Sequence, residues 1–215
     1  MRKYIMAEDD CAFISGRKLK RIISCQNFSS VLAGEKGGYL ESEENLSHEG
    51  GAWVHDAACV FEEARVFGEA KIFGEVWIRG EAKIFGGANI FDGACVREKA
   101  RVFGKALVFG EPEISGEALV FGEAEIHDSA RLCGKALVRS VGDLIYSRGL
   151  GENAISATAF KTAGNGICVC SENFYGTLED FLLEIKTKKD VSKALLSDVL
   201  CFAQMVKSHF KSLRL

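Results

Sequence analysis

The chain is poor in histidine, methionine and proline. It has four histidines, three methionines and a single proline in 215 residues. So few imidazoles leave little material for a histidine cluster. No apolar run reaches the roughly 20 residues that cross a bilayer, and Met1 to Asp10 has no signal-peptide core. A cytoplasmic protein of a bacterial cell with no membrane partner is expected. The formal charge of −3 is too small to draw nucleic acid or a membrane surface by bulk attraction. Cysteine is plentiful but badly spaced for ligation. Cys11, Cys25, Cys59, Cys95, Cys133, Cys168, Cys170 and Cys201 include no Cys-x-x-Cys pair and have no histidine at ligand distance. They read as reduced, structural thiols; no metal and no cofactor is expected. Cys168-Val169-Cys170 would place two sulfurs on one face of a strand, which is also how a buried apolar strand looks.

Glycine is abundant, at 23 residues, and most of the excess belongs to one pattern. From Ala52 to Val141 a six-residue unit recurs fifteen times without a gap. Its form is small, any, aliphatic, ring-or-other, Gly, charged, as in Ala64-Arg65-Val66-Phe67-Gly68-Glu69. Alanine leads every unit except those beginning Val76 and Pro112, and the third position is always Val, Ile or Leu. A fixed short period of this kind points to a parallel β-helix. Alanine and the aliphatic residue stand two apart, so they share one face of an extended segment. The Gly that follows supplies a bend. Each unit is then a short strand and a corner, and stacking buries a column of aliphatic side chains worth roughly 1.5–3 kcal/mol each.

The number of units per coil is readable from the position after the aliphatic residue. Sampled every eighteen residues it gives Phe67, Phe85, Phe103, Phe121; then His55, Phe73, Phe91, Phe109, His127; then Phe61, Arg79, Arg97, Ser115, Cys133. Sampling every twelve mixes the types. Three units per turn, a triangular section and about five coils follow.

The repeats resemble the hexapeptide-repeat, left-handed β-helix proteins, a group best known for trimeric acyltransferases. A closer resemblance, to phage and prophage proteins of unassigned role, rests on the lead-in Gly37-Gly38-Tyr39-Leu40-Glu41-Ser42-Glu43-Glu44-Asn45-Leu46-Ser47-His48-Glu49-Gly50 before Ala52-Trp53-Val54. The left hand of the coil is what the resemblance implies; the period alone does not fix it. The chain departs from acyltransferase repeats in carrying Phe, where those usually have Gly or a small residue, after the aliphatic position.

The expected organisation is mainly β: an N-terminal β cap (1–51), the β-helix (52–141) and a small α+β domain (142–215). In the cap, Arg2 to Met6, Cys11 to Ile14 and Lys18 to Cys25 read as strands, and Gly34-Glu35-Lys36-Gly37-Gly38 reads as a turn. The basic run Arg17, Lys18, Lys20, Arg21 suits an anion site or a solvated strand face. His48 is expected to take part in the hydrogen bonding of the cap. The last segment reads as three strands, Asp143 to Ser147, Ala154 to Thr162 and Gly166 to Cys170. Two helices follow, one opening at Thr177 and one from about Asp190 to His209. Ser147, Arg148, Thr158, Lys161 and Thr162 could line a small pocket there.

Two function classes follow. Outward ladders Phe67/Phe85/Phe103/Phe121 and Phe73/Phe91/Phe109 would form an apolar surface larger than soluble monomers leave open. Arg79 and Arg97, near Trp77, would offer a polar contact face. These residues suit an interface in a non-enzymatic binding protein, with partners a second or third copy of the chain and a host protein. The phage-type resemblance implies, as its sharpest form, an inhibitor of a host anti-phage defence system. The alternative is a hexapeptide-class acyltransferase using an acyl-CoA donor. No loop interrupts the repeats, and the weak candidate for a catalytic base is His127, beside Asp128.

Overall fold

The computed structural model describes residues 2–152, 154–189 and 191–212. A hairpin of β1 (Tyr4–Ile14) and β2 (Arg17–Ser24) leads through β3 (Lys36–Leu40) into fifteen two-residue strands, β4 (Trp53–Val54) to β18 (Leu137–Val138). Every strand pair in the repeats is parallel with a register step of eighteen, as in Arg65 opposite Lys83 and Arg101 opposite Leu119. Three parallel sheets result, containing β4-β7-β10-β13-β16, β6-β9-β12-β15-β18 and β3-β5-β8-β11-β14-β17. The triangular three-unit turn is therefore as the side-chain columns indicate.

The solenoid starts earlier than residue 52. Tyr39 and Leu40 pair with Cys59 and Val60, and Leu46 bridges Val66, so one face has six rungs and the coil makes about six turns rather than five. Gly37 and Gly38, read as a turn from sequence, lie within β3. Both signals demand glycine, but here the demand is close approach. A Cβ on Gly38 would sit 2.3 Å from the Ala58 carbonyl oxygen. The lead-in closes the first coil with a short 3-10 turn, Glu43–Asn45. Buried Asn45 donates from its amide to the Glu62 and Ala64 carbonyls at 3.0 and 2.9 Å.

The interior is one continuous apolar column. Each leading Ala from Ala52 to Ala136 and each aliphatic residue from Val54 to Val138 is buried. The corners fall into two kinds. Gly104, at φ +75°, takes a left-handed conformation with its Cα face against the next turn, where a Cβ would lie 2.8 Å from the Gly122 nitrogen. Elsewhere an acid replaces glycine at positive φ, as at Asp56, Glu62, Asp92 and Glu98. Each of these carboxylates accepts the N–H of the glycine one turn on, Gly74, Gly80, Gly110 and Gly116, at 2.6–3.0 Å. The bond offsets the left-handed strain of a non-glycine residue.

Beyond the coil lies an antiparallel sheet of β19 (Leu144–Leu150), β20 (Ile155–Lys161), β21 (Ile167–Ser171) and β22 (Phe174–Thr177), followed by α1 (Leu178–Thr187) and α2 (Lys193–Ser212). The fourth strand is a correction to the three expected. Ser171 pairs with Phe174, so Glu172-Asn173 makes a tight turn inside a segment too short to show alternation. Thr177 caps α1 as expected, accepting the Asp180 N–H. The expected start of the second helix near Asp190 falls outside the described residues. Within the described part, Ser192 caps it, its Oγ accepting the Leu195 N–H at 3.1 Å. The sheet has two apolar faces: Leu144, Phe160 and Cys170 continue the solenoid core, while Ala157, Ala159 and Val169 pack on Phe181, Val199 and Phe202 of the helices. Among the described residues no helix is long and apolar enough to cross a membrane.

Candidate functional site

The corner columns place their rings as stacks. Phe67, Phe85, Phe103 and Phe121 lie face to face with centroids 4.9, 4.7 and 5.0 Å apart and planes within 4°. In the second column His55 lies on Phe73 at 4.1 Å, Phe73 on Phe91 at 5.4 Å and Phe109 on His127 at 5.6 Å. A turn spacing near 4.8 Å is the natural distance for aromatic stacking, so an identical ring in each turn gains contact without changing the backbone. Stacking leaves the rings half-buried; of the seven, Phe109 is the one classed as exposed, at 38%. The apolar surface is thus a pair of ribbed edges and is narrower than free rings would make it.

The third face is polar and mixed. Trp77 is 40% exposed and meets Phe61 edge-on at 6.2 Å. Arg79 lies against the Cys95 thiol. Arg97 donates to Glu113 from Nε at 2.8 Å and also pairs with Glu98. Arg131 reaches the other oxygen of Glu113 at 3.6 Å. Towards the N-terminus the same sheet ends in the basic run of β2, three of whose four members are paired. Arg17 meets Glu41 at 2.7 Å, Lys20 meets Glu8 at 2.6 Å, and Arg21 meets Asp10 at 2.9 Å while lying over the Tyr39 ring. That run is a strand face paired within the cap at Arg17, Lys20 and Arg21, with Lys18 exposed to solvent.

His127 stands apart from the other histidines. Its Nδ1 is 2.9 Å from Asp128 Oδ2, and both side chains are nearly half exposed. The local cause is the end of the coil. Asp56 and Asp92, in the same column as Asp128, give their carboxylates to a glycine N–H one turn on. Asp128 also has positive φ, but the repeats stop before a next turn, and its carboxylate turns to His127 instead. A carboxylate at Nδ1 favours the tautomer that carries its proton there, which in the neutral ring leaves Nε2 as the acceptor. This is the arrangement a general base needs. By contrast His55 is packed between Trp53 and Phe73, and burial lowers its pKa against the pull of Glu35 and Asp56. His48 stacks on Tyr4 and accepts the Lys3 N–H, so it belongs to the cap.

Two cavities lie where the solenoid meets the C-terminal sheet. One of about 900 Å³ has an apolar floor including Leu137, Leu178 and Phe210 and a rim including Arg139, Lys161 and Lys207. Of the five residues expected to share a pocket, Lys161 and Thr162 line this one. Thr158 is buried and accepts the Arg131 N–H, and Arg148 is exposed. The other cavity, of about 310 Å³, opens beside Arg97, Arg131, Cys133 and Cys170. Sequence reading missed this convergence, although Cys133 closes a corner column and Cys168 and Cys170 alternate on one strand. Among the described residues no three of His, Cys, Asp and Glu are placed to hold a metal ion.

Period, register and section define a hexapeptide-repeat β-solenoid protein. No protein-family model matches the chain. Over 63 residues it is 38% identical to a protein of Escherichia coli (strain K12) named uncharacterized acetyltransferase YdcK, a match covering 26% of this chain and 19% of that protein. The chain spans about a fifth of the length of that relative.

Proposed function

We propose that the chain is an acyltransferase of the hexapeptide class, drawing on an acyl-CoA donor, with His127 as general base and Asp128 as the residue that orients it. The observation that carries this reading is the His127–Asp128 pair, half exposed with Nε2 unoccupied by the carboxylate. The similarity to a protein named as an acetyltransferase supports it. In this reading His127 Nε2 takes a proton from the amine or hydroxyl of an acceptor. That atom attacks the thioester carbonyl, the C–S bond breaks, and CoA leaves as the thiol once protonated. Removing a positioned base slows such a step by about 10²–10⁴-fold. The test is acetyl-CoA binding by calorimetry, with CoA release measured against a panel of amines and alcohols. Binding with turnover that His127→Ala reduces about 100-fold or more agrees with the reading. Absence of acetyl-CoA binding, or turnover indifferent to His127→Ala, removes it.

A second reading rests on the ribbed edges. The unbroken stack along the Phe67 edge, with Phe109 and Trp77 partly open elsewhere, favours a rigid binding protein whose edges meet a second copy of the chain. The comparison with known proteins lends the phage anti-defence role no support. Sedimentation separates the readings: Phe85→Glu with Phe103→Glu should dissociate an oligomer built on the Phe67 edge while circular dichroism stays unchanged. Unaltered hydrodynamic size would exclude that edge as the seam.

A further inference from the structure

Thiols far apart in sequence converge at the junction of the last coil and the C-terminal sheet. Cys133 follows Leu132 of β17 (Arg131–Leu132) at the end of the column Phe61, Arg79, Arg97, Ser115. On β21, Cys168 and Cys170 flank Val169; Cys170 joins the solenoid core and Val169 the helix core, so the two sulfurs face the coil. Strand register fixes the meeting. Thr158 is the cross-strand partner of Cys170, and its Oγ1 accepts the Arg131 N–H at 2.9 Å, two residues before Cys133. The Cys133 and Cys170 thiols lie within hydrogen-bonding reach and line the same cavity of about 310 Å³. Cys168 shares that face but does not line the cavity, Cys25 and Cys201 are exposed, and Cys59 and Cys95 stand two turns apart on the outer face.

The pair is chemically unequal. Contact between the two thiols lets one lose its proton more readily while the other keeps its own, and at Cys170 the Arg131 guanidinium favours the thiolate while burial opposes it. Arg131 and the open cavity both lie beside Cys170, whose own thiol reaches the Ser171 carbonyl at 3.9 Å. Those are the attributes of an attacking and a resolving thiol.

We propose that Cys170 and Cys133 form a hydroperoxide-reactive pair whose oxidation to a disulfide fastens the last coil to the C-terminal sheet. The Cys170 thiolate attacks the distal oxygen of the hydroperoxide. The O–O bond breaks, the other oxygen leaves as an alcohol (water, for hydrogen peroxide) after taking a proton from solvent, and Cys170 becomes a sulfenic acid. The Cys133 sulfur then attacks that sulfur; the S–O bond breaks, the hydroxyl leaves as water with the Cys133 proton, and the S–S bond forms. The two thiols supply both electrons that reduce the peroxide.

The test uses the full chain and substoichiometric hydrogen peroxide, quenched with acid, alkylated and mapped by mass spectrometry. The expected product is one cross-linked peptide joining Cys133 to Cys170, two hydrogens lighter and reversed by dithiothreitol. Cys170 should be consumed roughly tenfold faster than exposed Cys25 and Cys201. Cys133→Ser should leave Cys170 trapped by dimedone as sulfenic acid, and Cys170→Ser should abolish the cross-link. Oxidation confined to Cys25 and Cys201, or a cross-link that pairs Cys133 with Cys168, overturns the assignment. The mapping of the unsubstituted chain decides it even where a variant fails to fold.

Discussion

At the N-terminal end of the solenoid the backbone groups left without a next turn are carbonyls, and at the C-terminal end they are amides. The polarity follows from the ladder, in which each N–H donates to the carbonyl of the following turn, as from Trp53 to Ala70 and from Arg101 to Ala118. The two caps are accordingly opposite in kind. At the start, donors are delivered: Lys3 Nζ reaches the Ala52 carbonyl at 2.9 Å and Tyr4 Oη the Leu46 carbonyl at 2.7 Å, both buried. At the finish, acceptors are delivered: Thr158 Oγ1 takes the Arg131 N–H and Asp143 Oδ2 the Arg139 N–H, each at 2.9 Å. A repeat can propagate without limit, but it can stop only where side chains of the right sign meet its open ladder. The N-terminal cap continues the solenoid ladder itself, through Tyr39 and Leu40 on Cys59 and Val60, whereas the C-terminal cap is a separate antiparallel sheet joined by side-chain acceptors and a single backbone bridge, Ala136 to Thr162.

That contrast predicts unequal tolerance of one added methyl. A Cβ on Gly38 would meet the Ala58 carbonyl oxygen at 2.3 Å and Val54 Cγ1 at 2.7 Å, neither of which can yield without parting the first two turns. A Cβ on Gly134 would meet the Tyr175 hydroxyl at 2.2 Å, but that ring is 49% exposed and free to swing aside. Gly38→Ala should lower unfolding free energy by about 3 kcal/mol or more. Gly134→Ala, at φ +61°, should cost about 1–2 kcal/mol, chiefly for its left-handed backbone. Chemical denaturation of both variants measures the difference, and equal losses would break the distinction between the caps.

The middle of the molecule was legible in sequence because each unit repeats the same local decision, and the columns of Phe at a spacing of eighteen revealed the section. The ends were not, because a cap is made once. Nothing periodic marks Lys3, Tyr4 or Asp143 as plugs for an open ladder. Gly37-Gly38 was misread because a bend and a close approach both call for glycine, and only the neighbour one turn away tells them apart. For the site, His127 and Asp128 were visible as neighbours, but the reason they pair, the missing turn beyond them, is a property of the ended stack. The thiol cluster draws on Cys133, Cys168 and Cys170 from two different units of the fold, and adjacency of that kind leaves no trace in spacing.

The acceptor cap should fail first in acid. Burial pushes the Asp143 carboxyl up, but hydrogen bonds from Lys161 and the Arg139 N–H, with the charges behind them, outweigh it and hold the pKa below its ordinary value. A depressed pKa means stability that is present above the unfolded value near 4 and lost as pH falls through the folded one. Asp143→Asn keeps one acceptor but removes the charge facing Lys161 Nζ at 2.6 Å, and should cost about 2 kcal/mol at neutral pH. Its melting midpoint should change less between pH 5 and pH 2 than that of the unsubstituted chain, read by scanning calorimetry. Parallel acid profiles would show that the sheet is not held by this carboxylate.

The donor cap should answer to alkali, with the opposite sign and a smaller size. Burial lowers the Lys3 ammonium from 10.5 to about 8, with Glu69 pulling the other way. Between those two values the unfolded chain binds the proton and the folded chain does not, so this group adds stability as pH rises through the interval. The neutral amine still donates to the Ala52 carbonyl, and the cap survives the loss of charge. Burial together with the Glu43 carboxylate raises the Tyr4 phenol, which therefore resists deprotonation in the fold and works against stability only above its ordinary value near 10. Between pH 8 and 10 buried thiols such as Cys59, raised from 9.0 to about 11, titrate as well, so within that window Lys3 is isolated by comparison with a variant. Across it, the unsubstituted chain should gain on the order of 1 kcal/mol relative to Lys3→Met, in which no group titrates at that position. Denaturant midpoints of the two proteins at pH 8 and pH 10 measure the gain. A difference that shrinks with rising pH would mean that Lys3 is charged in the fold, and that the first turn is closed by an ion held against its carbonyls.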